Sequence, residues 1–222
     1  KRILEIAEEA IKNTGYEEIG LLSLSTGDYP HLEELAAKLE EKFKSSGIRI
    51  SLPSLRVGSF KSDKMGSIVK KHGMTLAPEA GSERLRDFLN KKIKNEDIIE
   101  QAKLAVRSGW SKVKLYFMMG LPSETYEDLD AIIELASLVK NANISVSPFI
   151  PKPHSDFENE PMNDIEPLRN KEEYLRAKAR AKGRGRSFRM DFHDLKMSRI
   201  EGVISRGDRK VGEVIYRVWC KG

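Results

Sequence analysis

Five times along the chain a short apolar run ends in glycine or polar residues and then gives way to apolar residues at helical spacing. The runs cover residues 19–25, 48–52, 74–77, 112–119 and 144–149. Strands separated by helices pair in parallel through right-handed crossovers, so this unit predicts an α/β sheet, curled into a barrel or open and doubly wound. We expect the barrel. One helical stripe is Leu32, Leu35, Ala36, Leu39 and Phe43; another, entered at Thr125, is Leu129, Ile132, Ile133, Leu135, Ala136 and Val139. A short helix is expected over 62–71. The stretch 82–107 should hold two helices, the second opening at Asn95 ahead of Glu96 and Asp97. Before the first run, Ile3, Leu4, Ile6, Ala7, Ala10 and Ile11 form a helical face that stops at Gly15.

With 222 residues and 39% hydrophobic content, the chain can bury one sizeable core. A third of the residues are charged, and no run approaches the roughly eighteen apolar residues of a membrane span, so no membrane partner and a cytoplasmic setting are expected. The net charge of +5 is most concentrated over 176–189, which carries Lys and Arg without an acid. That segment reads either as a solvated helix end or as a nucleic-acid contact. Cys220 is the single cysteine, which excludes a disulfide framework or an all-cysteine metal site built from this chain alone. His31, His72, His154 and His193 are scattered without metal-ligand spacing.

The chemistry-bearing residues follow the runs, at the end where barrels build their sites. They are Ser25, Thr26, Gly27 and Asp28; Ser54 and Arg56; Glu79 with Gly81; Gly120, Leu121, Pro122 and Glu124; and Pro148 to His154. Gly120 admits close approach of a ligand, and Glu124 suits a helix N-terminus; an ordinary strand-to-helix turn explains the same residues. Thr26, Gly27 and Asp28 equally suit a ligand amino group or a helix-leading turn. Arg56 suits a carboxylate or phosphate, or a surface strand end. A strand-end carboxylate such as Glu79 needs a cation, a donor or a ligand, with Arg84 and Arg86 the nearby cations.

After 149 the character changes. Prolines 148, 151, 153, 161 and 167 mark a loop across the barrel mouth, and a helix over 168–182 follows. Then come a basic turn at 183–186, a sixth strand over 187–192, and helices over 199–205 and 211–219. We divide the chain into a barrel core, 1–155, and a C-terminal extension, 156–222.

Residues 22–29 (LSLSTGDY), 51–57 (SLPSLRV), 76–86 (LAPEAGSERLR), 112–125 (KVKLYFMMGLPSET), 146–154 (VSPFIPKPH), 199–203 (RIEGV) and 205–215 (SRGDRKVGEVI) together carry a resemblance. The chain resembles the catalytic core of a radical S-adenosylmethionine (SAM) enzyme, of the cobalamin-binding-type group of iron-sulfur oxidoreductases. The resemblance implies a partial parallel (β/α)6 TIM-like barrel holding SAM and a [4Fe-4S] cluster, and reductive cleavage of SAM to a 5′-deoxyadenosyl radical that acts on an unknown substrate. It places Ser25, Thr26, Gly27 and Asp28 at the SAM amino group, Glu79 and Arg84 facing SAM, and Gly120, Leu121 and Pro122 near the adenine. Ser54 and Arg56 fall at the ribose or carboxylate, and Pro148 lines the last strand end. Cobalamin would come with an upstream domain. RNA is the alternative partner, through 176–189.

One part of the resemblance is missing from the chain: there is no three-cysteine cluster motif. The expectation is therefore a piece of a longer polypeptide without the first strand and cluster loop, its five runs being strands two to six, and inactive by itself.

Overall fold

The computed structural model describes residues 1–23, 26, 29–51, 73–182 and 189–221. Strands and helices alternate as the runs predict: α1 (Arg2–Thr14), β1 (Glu18–Gly20), α2 (Leu32–Phe43), β2 (Arg49–Ser51), β3 (Met74–Glu79), α3 (Glu83–Phe88), α4 (Asn95–Arg107), β4 (Val113–Met119), α5 (Tyr126–Leu138), β5 (Ala142–Pro148), α6 (Ile165–Lys182), β6 (Arg189–Phe192), α7 (Leu195–Arg206) and α8 (Lys210–Cys220). The helix expected over 62–71 and the basic turn at 183–186 lie outside the described residues. Among the described residues the strands form two sheets, β1-β2 and β3-β4-β5-β6, and not one closed barrel. The architecture is α/β with parallel strands and fits a partial TIM-like fold.

The chain falls into two compact units. One comprises Lys1–Pro78, Ile93–Leu115 and Leu138–Asn143; the other comprises Glu79–Lys92, Tyr116–Ser137 and Ile144–Gly222. In the first unit β1 and β2 pair in parallel with Ile19 opposite Ile50. Leu32, Ala36, Leu39 and Phe43 of α2 are buried with Ile48 and Ile50, while Lys42 reaches Glu8 of α1 at 2.7 Å. Gly15 closes α1 in the left-handed region at φ 68°, which costs glycine nothing. The run 19–25, whose apolar residues suit a strand buried on both faces, is only partly strand. Its described strand is Glu18–Gly20, with Ile19 half-buried and Leu22, just beyond it, exposed.

The second unit holds most of the strand-end residues. Phe117 and Met119 of β4 and Val146 and Pro148 of β5 are buried, as are Leu129, Ile132, Ile133, Leu135 and Ala136 along α5. Leu168 and Leu175 are the buried residues of α6. The helix α7 is capped by Asp194, whose carboxylate accepts from Met197 N–H at 2.8 Å, and α8 buries none of its residues.

Candidate functional site

The ends of three strands meet in one apolar cluster. Ala80 follows β3, Leu121 follows β4 and Phe149 follows β5; together with Leu85 they are buried, and Leu89, Met118 and Phe157 pack against them. Phe149 N–H donates to Met119 O at 2.8 Å, which fixes the end of β5 beside that of β4. Phe157, from the proline-rich loop, stands edge-on to Phe149 at 6.2 Å and tilted against Phe88 at 5.3 Å. The loop is thereby anchored over the strand ends.

Beside this cluster, Asp128 in the first turn of α5 gathers the polar groups. Its side chain is 5% exposed and accepts from the Ser82 hydroxyl, the Arg84 guanidinium, Thr125 N–H at 2.8 Å and the Thr125 hydroxyl at 3.1 Å. Burial works to raise the Asp128 carboxyl. The hydrogen bonds from Ser82, Thr125 and Arg84 outweigh it and hold the carboxyl below its ordinary value. Arg84 also donates to Ser123 O at 3.1 Å, tying the loop after β3 to the turn after β4. A side chain at Gly81 would run into the backbone of α5 at Asp128 and Ile132, so glycine there permits the close packing of that loop on the helix.

Glu79 ends β3 with φ 72°, a left-handed conformation that is strained for a non-glycine residue. Its carboxylate is half-buried and pairs with Lys91 at 2.8 Å. The sequence offered Arg84 and Arg86 as its cations, but both are engaged elsewhere. Arg84 turns to Asp128, and Arg86, fully buried, donates to Ala80 O at 3.0 Å and Gly81 O at 2.8 Å. Its guanidinium replaces the missing backbone donors of the sharp turn after β3.

Gly120 adopts φ 81° at the end of β4. Both of its peptide groups are engaged: its N–H donates to Glu124 Oε2 at 2.8 Å and its carbonyl accepts from Asn163 Nδ2 at 2.9 Å. A Cβ at Gly120 would stand 2.8 Å from Leu168 Cδ2 and 3.2 Å from Asn163 Nδ2. The close approach that the glycine permits is that of the segment entering α6. Glu124 is 1% exposed and meets Lys171 of α6 at 2.5 Å. Burial raises its carboxyl above the usual range, with Lys171 and the Gly120 and Leu121 amides partly opposing.

In the second unit, then, Glu79, Arg84, Gly120, Leu121, Pro122 and Pro148 surround the strand ends. Leu121 and Pro148 are buried, Pro122 and Glu79 are half-buried, and Arg84 is exposed. Thr26 belongs to the first unit, where its hydroxyl donates to Leu21 O and lies 3.1 Å from Ser23 Oγ. Ser25, Gly27, Asp28, Ser54 and Arg56 lie outside the described residues. Sequence reasoning missed Lys91, Asp128, Asn163 and Lys171, whose partners are fixed only by the fold; Asp128 at the third position of α5 was the one visible signal.

A parallel α/β chain with polar residues in the loops after its strands has the layout on which such folds build ligand sites. The model of the Radical SAM superfamily matches residues 1–136, and the chain belongs to that superfamily. It is 36% identical over 217 residues to an uncharacterised protein of Methanocaldococcus jannaschii, an alignment that covers 96% of this chain and 46% of the relative. The chain therefore spans about half the length of that relative. Among solved structures it is similar to coproporphyrinogen III oxidase (HemN) of Escherichia coli, a radical SAM enzyme, with TM-score 0.55, 13% identity, and 79% of this chain and 45% of that one covered. It is also similar to the radical SAM methyltransferase TsrM of Kitasatospora setae, whose structure holds cobalamin and a [4Fe-4S] cluster. There the TM-score is 0.51, the identity 11%, and the coverage 64% of this chain and 27% of that one. At these identities the likeness is one of fold.

The superfamily implies SAM and a [4Fe-4S] cluster. The cluster does not fit the residues of this chain: it needs cysteine thiolates, and Cys220 is alone and exposed on α8. Among the described residues there is also no group of three His, Cys, Asp or Glu that could hold a metal. SAM fits better. The loops after β3 and β4 carry a half-buried carboxylate at Glu79, an exposed arginine at Arg84 and a half-buried proline at Pro122, side chains of the kinds that hold an adenosyl ligand. Among the described residues no helix is long and apolar enough to cross a membrane.

Proposed function

We propose that the chain supplies the SAM-holding strand ends of a radical SAM iron-sulfur oxidoreductase, with the cluster thiolates provided outside residues 1–222. The reaction class is one-electron reduction of SAM, breaking its sulfonium to C5′ bond to give methionine and a 5′-deoxyadenosyl radical that takes hydrogen from a substrate. Glu79 carries the reading. Strain is retained at a strand end where surrounding structure enforces it, and functional sites are where such residues cluster. Lys91 is the partner of its carboxylate among the described residues, which leaves acceptor capacity for a ligand donor.

In this reading Ser25, Thr26, Gly27 and Asp28 meet the SAM amino group, Glu79 and Arg84 face the cofactor, and Gly120, Leu121 and Pro122 wall the adenine. The resemblance also assigns Ser54, Arg56 and Pro148 to SAM, and on this reading residues 1–155 act as the barrel core and 156–222 as an extension. The setting is cytoplasmic, and cobalamin enters through a further domain. The RNA-binding reading draws little support from α6, where Arg176 pairs with Glu172 and Lys178 with Asp130.

The test is anaerobic reconstitution with iron and sulfide, of residues 1–222 and of the whole polypeptide that contains them. We expect the whole protein, given SAM and a low-potential reductant, to release 5′-deoxyadenosine and methionine, and residues 1–222 alone to acquire no cluster absorption. A cluster with SAM cleavage on residues 1–222 alone would contradict the division of labour; no 5′-deoxyadenosine from the whole protein would contradict the reaction class.

A further inference from the structure

Glu124 is a buried carboxylate for which the reaction above has no use. Withdrawing a carboxylate from water is unfavourable unless it is paired and hydrogen-bonded, and one of its oxygens is doubly committed to local structure. Oε2 accepts from Gly120 N–H at 2.8 Å and from Lys171 Nζ at 2.5 Å. On the opposite side of the same residue, Asn163 Nδ2 donates to Gly120 O at 2.9 Å, and Leu168 fills the space where a Cβ would stand. Three side chains from residues 163–171 therefore bear on one glycine, two of them through its peptide groups or the carboxylate that holds one.

Glycine at φ 81° has alternatives close in energy, so a turn built on it keeps one shape only when outside bonds select it. We infer that Glu124, Lys171 and Asn163 are positioning residues for the turn at Gly120, Leu121 and Pro122, so that affinity for the adenosyl part of SAM is governed from the segment 163–171. That segment lies beyond the residues 1–136 that match the superfamily. The inference rests on the reading of this turn as a SAM wall. A ligand that needs one conformation of a turn loses affinity in proportion to the fraction of time the turn spends elsewhere.

Lys171→Met, Asn163→Ala and Glu124→Gln test it, with Lys178→Met as a control on the same helix that bonds Asp130 instead. Two readouts are taken on the protein without cluster: hydrogen exchange at the Gly120 and Leu121 amides, and titration with SAM and with 5′-deoxyadenosine. Lys171→Met and Asn163→Ala should speed exchange at the turn and raise both dissociation constants roughly tenfold, the size of one lost hydrogen bond. Glu124→Gln keeps an acceptor for Gly120 N–H and should change exchange less than Lys171→Met, while Lys178→Met should change neither readout. Faster exchange with dissociation constants within about twofold of wild type overturns the positioning role and leaves the SAM reading standing. Wild-type protein that binds neither SAM nor 5′-deoxyadenosine overturns both. Should Lys171→Met fail to fold, the milder Asn163→Ala and Glu124→Gln decide the question.

Discussion

Asp128 and Glu124 sit four residues apart, both nearly out of water, yet their carboxyls move in opposite directions. The difference lies in the number and quality of donors. Asp128 receives an arginine, two hydroxyls and an amide, enough to outweigh burial; Glu124 receives a lysine and turn amides, and burial prevails. The pH consequences have opposite sign. Asp128 binds protons less tightly when folded, so its contribution is complete above the ordinary aspartate value and is lost as pH falls through its lowered one. Glu124 binds protons more tightly when folded, so stability declines as pH rises from the ordinary glutamate value through its raised one. Unfolding midpoints measured across the acid range should therefore show Asp128→Asn flattening the lower part of the profile and Glu124→Gln the upper part. At neutral pH Asp128→Asn should cost about 2 kcal/mol, because donors from Ser82, Thr125 and Arg84 lose an ionised acceptor, and denaturant melts measure it. A midpoint unchanged from wild type would remove Asp128 from its role as the tie between the β3 loop and α5.

The strands and helices were legible in the sequence because their signal is periodic and local. The stripe Leu129, Ile132, Ile133, Leu135 and Ala136 is buried along α5 as read, and the division of 82–107 into two helices holds, with Asp97 accepting from Lys94 N–H at 3.0 Å to start α4. α6 begins at Ile165, earlier than the expected 168, because Pro167 lies in the first turn, where its missing N–H has no partner to lose. At α5, Thr125 stands at the start as read, yet its hydroxyl donates a hydrogen bond to Asp128 instead of accepting one from the helix backbone. The partners across the fold were not legible. Glu79 finds Lys91 and not an arginine, and Glu124 finds a lysine 47 positions later, pairings that depend on how loops and helices approach in space. Gly81 is the clearest element-scale test of that approach. Gly81→Ala places a methyl against the backbone of α5 and should destabilise by roughly 1–3 kcal/mol or more, read from thermal unfolding. A neutral effect would mean that the β3 loop and α5 are not closely packed.

At the scale of the molecule, the family match gives the superfamily, and the strand ends are where we propose that its cofactor sits. The superfamily match spans 1–136, and the second unit adds the loop, α6 and Phe157 that close around the ends of β3, β4 and β5. A chain that covers 46% of its curated relative is, on our proposal, the cofactor-holding part of a larger enzyme, which divides the chemistry between SAM binding here and the iron site elsewhere. That division makes SAM affinity measurable without any redox step. The most direct measurement is isothermal titration of SAM into the wild-type protein and into Glu79→Gln, with unfolding midpoints recorded for both. The wild type should bind, and Glu79→Gln should bind roughly tenfold more weakly at a similar midpoint, since glutamine keeps an acceptor for Lys91 in this half-buried pair. Equal affinities for the two proteins, or no binding by either, would contradict the assignment of this strand end to SAM.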